Sequence, residues 1–222
     1  MSLKPPKKSD LGKTWMQARL ERTVKILPEY HLIVTEGTKT EPPYFEAIQR
    51  AINKQYRGRI QLDISGEGTN TVFLFDRAKY LAGRSPNTYR HIWVVYDTDD
   101  FPKDRINEVA ALCRMNSTEE TEYHALWSNQ CIELWYLIHF SYMHSDLQRD
   151  EYWPKLTQCL ESIGAGKYEK NRPDMYELLR PYLETAIASA KRLDQENANL
   201  PPSRSAPGTK VYELLEKLKP YL

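Results

Sequence analysis

Two short acidic stretches have the composition of a cation site. Glu36-Gly37-Thr38-Lys39-Thr40-Glu41 places two carboxylates around a lysine, and Asp97-Thr98-Asp99-Asp100 places three carboxylates within four residues. Alternate side chains of an extended segment share a side, so Asp97 and Asp99 can face one ion. Hard dications such as Mg²⁺ take oxygen ligands and keep several waters, so two or three carboxylates suffice. Such an ion activates water and stabilises the charge of an in-line attack on phosphorus, which points to phosphodiester chemistry. Plainer readings stand beside this one. A DxD also caps a helix or solvates a turn, Lys39 is either an exposed turn lysine or a phosphate-neutralising group, and Glu41 is either a ligand or a helix N-terminal charge favoured by the macrodipole.

A third constellation is Trp127-Ser128-Asn129-Gln130-Cys131-Ile132-Glu133-Leu134-Trp135. Glu133 lies about one turn into an apolar run, and a buried carboxylate needs a partner. It is either an additional metal ligand or a structural acceptor for backbone amides and Ser128, with Asn129 at the same end and His139 near enough to support it. Cys131 reads as a small packed residue, because neither flank supplies an activating base. The histidines form no HxxxH or HExxH pair, so a zinc hydrolase is unsupported, and His91 and His124 read as packing residues of strands. There is no GxxxxGK[ST], GxGxxG or GxSxG motif, so nucleotide hydrolysis by this chain itself is not expected.

What positions these residues is an alternation of strand and helix. HLIV (31–34), the alternating Ile60, Leu62 and Ile64, the run Ile92 to Tyr96, and the alternating Tyr123, Ala125 and Trp127 read as four strands. Between them, Phe45, Ile48 and Ile52, then Leu74, Ala78 and Leu81, then Ile106, Val109, Ala110 and Cys113, fall at helical spacing. Pro42 and Pro43 set the start of the first helix near residue 43. Cys131 to Phe140 reads as a buried helix. Strand signals stop near residue 145, and the remainder reads as helices over about 150–163, 174–194 interrupted by Pro181, and a closing helix through Leu218. This predicts an α/β fold, a mostly parallel sheet covered on both faces, with an N-terminal arm (1–28), an α/β domain (29–145) and a helical C-terminal subdomain (146–222). In such sheets ligands gather at the carboxyl ends of the strands, where both acidic motifs fall.

Composition sets limits. Over 222 residues, 31 Lys and Arg against 30 Asp and Glu leave +1, so a nucleic-acid surface requires segregated charge. Residues 1–25 hold seven basic against two acidic side chains, a net +5, which leaves −4 for the rest. Lys4, Lys7, Lys8 and Lys13 in that arm either track phosphates or form a solvated tail. Three cysteines without CxxC spacing indicate neither a disulfide framework nor a thiolate zinc site. No long apolar run or secretory signal is present, so a soluble cytoplasmic protein without membrane association is expected.

Taken together, EGTKTEPPYFEAI (36–48), VVYDTDD (94–100), SNQCIELWYLIHF (128–140), Lys167-Tyr168-Glu169-Lys170, AIASAK (186–191) and GTKVYELLEKL (208–218) resemble the RloB-like family over roughly residues 22–221. The resemblance implies a Toprim-like fold and a Mg²⁺-dependent (or Mn²⁺-dependent) nuclease site. Glu36 then takes the place of the Toprim glutamate, Asp97 and Asp99 take the DxD, and Asn129 and Glu133 match the family's SNPxFExW element. Gln130 replaces its proline and Ile132 its aromatic. The resemblance further implies a partner ATPase of the ABC or AAA type in bacterial antiphage defence, with RNA, tRNA included, or DNA as target. A non-catalytic subunit that binds the ATPase or a nucleic-acid end is the alternative. A phosphatase or phosphoacceptor module is disfavoured, since EG, and not DxD, follows the first strand.

Overall fold

A computed structural model describes residues 27–68, 71–98 and 102–222. β1 (Glu29–Thr35), α1 (Glu41–Gln55), β2 (Ile60–Gly66), α2 (Thr71–Arg84), β3 (Tyr89–Asp97), α3 (Lys103–Asn116) and β4 (Glu122–Asn129) follow in strict alternation. The inner strands are apolar at successive positions because both of their faces are covered. Ile33, Trp93, Val95 and Leu126 pack into one core, while Leu32, Val34, Ile92 and Val94 pack into another. α1 covers the first face through Phe45, Ile48 and Ile52, and α2 and α3 cover the second through Leu74, Ala78, Ile106 and Val109.

The strand order is β2-β1-β3-β4-β5, with the first four parallel. From β1 the chain crosses to β2 on one side and then returns to β3 on the other. A crevice opens where that direction reverses, outside the carboxyl ends of β1 and β3. The remaining elements are α4 (Glu133–Leu137), α5 (Arg149–Ser162), α6 (Met175–Leu179), a 3-10 turn at Arg180–Tyr182, α7 (Leu183–Glu196), β5 (Gly208–Thr209) and α8 (Val211–Leu218). They share the first core: Trp135, Tyr152, Leu156, Tyr176, Ile187, Leu214 and Leu215 belong to one buried cluster with Ile33 and Trp93. The fold is thus α/β with a mostly parallel sheet and a helical C-terminal region.

Four local expectations change. α1 starts at Glu41, with both prolines inside its first turn, where a missing N–H breaks no helical bond. The apolar run 131–140 is buried as expected but is α-helical only over Glu133–Leu137. Beyond it His139 N–H bonds to Tyr136 O and Phe140 N–H to Leu137 O, the three-residue spacing of a tighter turn. Glu133 is therefore the first residue of its helix and not a turn inside it. Strand structure also does not stop near 145: β5 pairs antiparallel with the end of β4, Ser128 opposite Thr209, and two residues are too short to show any periodicity. Lys4, Lys7, Lys8 and Lys13 of the basic arm, and Asp99 and Asp100, lie outside the described residues. Among the described residues no helix is long and apolar enough to cross a membrane.

Candidate active site at the carboxyl end of the sheet

Glu36 follows β1 directly, and its N–H bonds to Val95 O at 2.9 Å, which extends the β1–β3 pairing by one residue. That extension carries its carboxylate to the end of β3, where Glu36 Oε2 accepts the Asp97 N–H at 3.3 Å. Asp97 is tied from two further sides. Its Oδ1 accepts the Ile132 N–H at 3.0 Å, ahead of α4, and its Oδ2 lies 4.0 Å from Arg149 Nη2 at the start of α5. The start of α5 is itself fixed, since Glu151 Oε2 accepts the Gln148 N–H at 2.8 Å. The turn after β1 is shaped by Thr35 Oγ1 donating to Gly37 O at 2.8 Å. A Cβ at Gly37 would collide with the Glu41 carboxylate, so a side chain there would displace that carboxylate from its place beside the strand end.

The result is a cavity of about 380 Å³ lined by residues 36–41, Asp97, Glu133, Arg149 and Lys170. Four carboxylates face three cationic side chains, an arrangement that can hold a cation and an anionic ligand side by side. Glu41 is 5% exposed, and burial, with the nearby Glu133 charge adding to it, pushes its carboxyl above the usual range. Lys39 is exposed. Glu133 Oε1 accepts the Tyr168 hydroxyl at 2.9 Å and the Trp153 indole N–H at 3.3 Å. Burial and the adjoining Glu133 charge raise the Tyr168 hydroxyl far above its ordinary range, so it remains a donor. Burial likewise raises the Cys131 thiol, which agrees with a packed residue and not a nucleophile.

The partners of Glu133 differ from those expected. Ser128 Oγ is buried against Thr209 Oγ1 at 2.8 Å, the Asn129 carbonyl lies 3.5 Å from the Tyr152 hydroxyl, and neither residue lines the cavity. The Asn129–Gln130 peptide is cis, at the position where the family's element carries proline. His139 turns the other way, with Nδ1 at 2.8 Å from Trp135 O, and does not support Glu133. Arg149, Lys170, Tyr168 and Trp153 were not singled out by motif or spacing; the only trace was Tyr168 and Lys170 within the Lys167–Lys170 piece.

The donor chemistry fits a hard dication. Glu36 and Asp97 offer oxygen only, they meet across adjoining strand ends, and Asp97 is partly open to solvent. Among the described residues, the groups of three ligand atoms within 4.8 Å of one another lie elsewhere, at the amino end of the sheet. Among the described residues, Glu36 and Asp97 would hold a cation here, with water adding to its shell.

No curated protein and no solved structure matches the chain. The family model described as RloB-like protein matches residues 31–218, an interval that includes both acidic motifs, Glu133 and the helical tail, and on this match the chain belongs to the RloB-like family.

Proposed function

We propose that this chain is a Mg²⁺- or Mn²⁺-dependent, Toprim-like endonuclease that cuts RNA or DNA as the toxic arm of an antiphage system, beside an ABC- or AAA-type ATPase. The observation that carries this reading is the contact of Glu36 with the Asp97 amide across the crevice between β1 and β3. The pairing with an ATPase is what the family resemblance implies.

Glu36 and Asp97, with Asp99, would hold the cation. When bound, it supplies Lewis acidity to the attacking water and to the charge developing on the phosphoryl oxygens. Lys39, Lys170 and Arg149 line the same cavity and draw a phosphodiester into it. Arg149 also offsets part of the Asp97 charge at the same edge. Tyr168 and Trp153 fix the Glu133 carboxylate at the cavity wall, a position that supports the site without requiring direct ligation.

The test is cleavage of tRNA, other RNA and DNA by the purified chain, alone and with its ATPase, in Mg²⁺, Mn²⁺ or EDTA. Dication-dependent cleavage that is lost in Asp97→Asn is the expected result. If no substrate is cut in either setting and no dication raises the melting temperature, the nuclease reading fails, and the chain is instead a non-catalytic subunit that binds the ATPase.

A further inference from the structure

The amino end of the sheet gathers a different chemistry. Glu29 and His31 on β1, His91 and Trp93 on β3, and Glu122 and His124 on β4 alternate along their strands, so each pair points to one face. The register sets His31 beside His91, His91 beside Glu122, and Trp93 beside His124. His91 Nδ1 lies 2.9 Å from His124 Nε2, and Glu122 Oε2 lies 3.6 Å from the former and 3.9 Å from the latter. These three atoms belong to side chains able to hold one ion together.

We propose that His91 Nδ1, His124 Nε2 and Glu122 Oε2 form a binding site for a zinc-class divalent cation, separate from the carboxylate cavity. Proton bookkeeping selects this group over its neighbour formed by Glu29, His31 and His91. Trp93 Nε1 can only donate, and it donates to His31 Nδ1 at 3.1 Å, so neutral His31 carries its proton on Nε2, where it bonds to Glu29 Oε1 at 2.8 Å. His31 therefore has no lone pair to offer there. For His91 the reverse holds. Its Nε2 is buried without a hydrogen-bond partner among the described residues and lies 3.5 Å from Glu29 Oε1. A proton on Nε2, facing that carboxylate, frees Nδ1 for a metal, the arrangement by which metal-bound imidazoles are usually oriented.

The rest of the group agrees. Glu122 Oε1 is occupied by Arg90 Nη2 at 2.8 Å, which leaves Oε2 as the ligand. The Trp93 ring stacks on His124 at 3.9 Å between centroids and fixes the imidazole plane. The nitrogens need to part only slightly, since two such ligands on tetrahedral zinc sit about 3.3 Å apart. His124 and Glu122 are 22% and 39% exposed, so the ion can enter and a water can complete its shell. Imidazole donors favour zinc-class ions over Mg²⁺.

The test uses the full chain, stripped with EDTA and titrated with Co²⁺ as the spectroscopic substitute for zinc. One equivalent giving the visible absorption of a low-coordinate, nitrogen-ligated site is expected, with excess Mg²⁺ failing to abolish it. His124→Gln should weaken binding at least tenfold, and Glu122→Gln, at the open rim, serves if His124→Gln does not fold. Asp97→Asn should retain the band. The proposal is overturned if the folded wild type gives no band, if the folded His124→Gln or Glu122→Gln variant binds with wild-type affinity, or if Asp97→Asn removes the band.

Discussion

The two ends of one parallel sheet carry opposite chemistries on the same strands. At the carboxyl end, Glu36 and Asp97 are oxygen donors in a cavity shared with Arg149 and Lys170. At the amino end, about 20 Å away along β3, imidazoles stack against Trp93. At the carboxyl end Arg149 and Lys170 stand beside the carboxylates in the cavity. Burial at the amino end lowers His31, His91 and His124, so these imidazoles stay neutral. The two ends thus differ in donor type, oxygen at one and imidazole nitrogen at the other.

The largest expected effect comes from removing charge at the carboxyl end. Asp97→Asn should lower dication-dependent cleavage by about a thousandfold or more, close to 4 kcal/mol of transition-state stabilisation. Asn is the sharper substitution because Asp97 Oδ1 accepts the Ile132 N–H, which alanine would leave unpaired at a cost of about 1–3 kcal/mol. Cleavage rates with an unchanged circular-dichroism spectrum check it, and wild-type rates would break the contrast between the two ends.

A buried imidazole away from both ends isolates the cost of protonation. His139 is 1% exposed, its Nε2 has no hydrogen-bond partner among the described residues, and burial lowers it from 6.5 to about 4. Its depressed folded value means that the stabilisation is complete above pH 6.5 and is lost as pH falls toward 4. The loss should be on the order of 3 kcal/mol. Denaturant titrations of wild type and His139→Phe between pH 7 and about 4 should diverge in slope, and parallel curves would show that this ring does not carry the acid sensitivity.

Smaller effects sharpen the carboxyl end. Glu133→Gln keeps an oxygen for Tyr168 and Trp153 to donate to, so the chain should stay folded while Mn²⁺ affinity or cleavage falls tenfold to a hundredfold. A folded variant with undiminished cleavage and affinity would confine the site to Glu36 and the DxD. Residue for residue, the smallest effect belongs to the arm. Neutralising Lys4, Lys7, Lys8 and Lys13 should reduce the slope of log affinity against log salt by up to about 3 without altering the chemistry, and an unchanged slope makes the arm a solvated tail.

The sequence made some of this plain and hid the rest for physical reasons. The run Ile92 to Tyr96 and the stripe Ile106, Val109, Ala110, Cys113 announce β3 and α3, because burial on one or both faces imposes a period. Glu36 and Asp97 could be placed at one end because strands of an α/β alternation run parallel, so residues that follow them emerge together. Arg149, Trp153, Tyr168 and Lys170 reach the cavity from the helical tail through tertiary packing, which no local pattern encodes. The proximity of the histidines is hidden for a related reason. A search for HxxxH asks about ligands on one helix, whereas His91 and His124 meet through the register of two neighbouring strands.

The two-residue β5 has a consequence for the order in which the molecule assembles. Thr209 meets Ser128 across 81 positions of chain, and Lys210 N–H bonds to Trp127 O beside it. Closing a loop of that length costs roughly 4 kcal/mol of chain entropy, which two residues of pairing cannot offset before α5 to α7 have condensed. The seam should therefore form late. Until it does, the end of β4 from Trp127 to Asn129 presents unpaired N–H and C=O groups on its outer side, a template onto which another chain can add. Thr209→Ala, which removes the Ser128 hydroxyl contact and keeps α8 in the core, should retain the four parallel strands yet self-associate with rising concentration more strongly than the unaltered chain. In that light β5 is a gatekeeper against aggregation at the carboxyl end of β4, the stretch of that edge the tail reaches last.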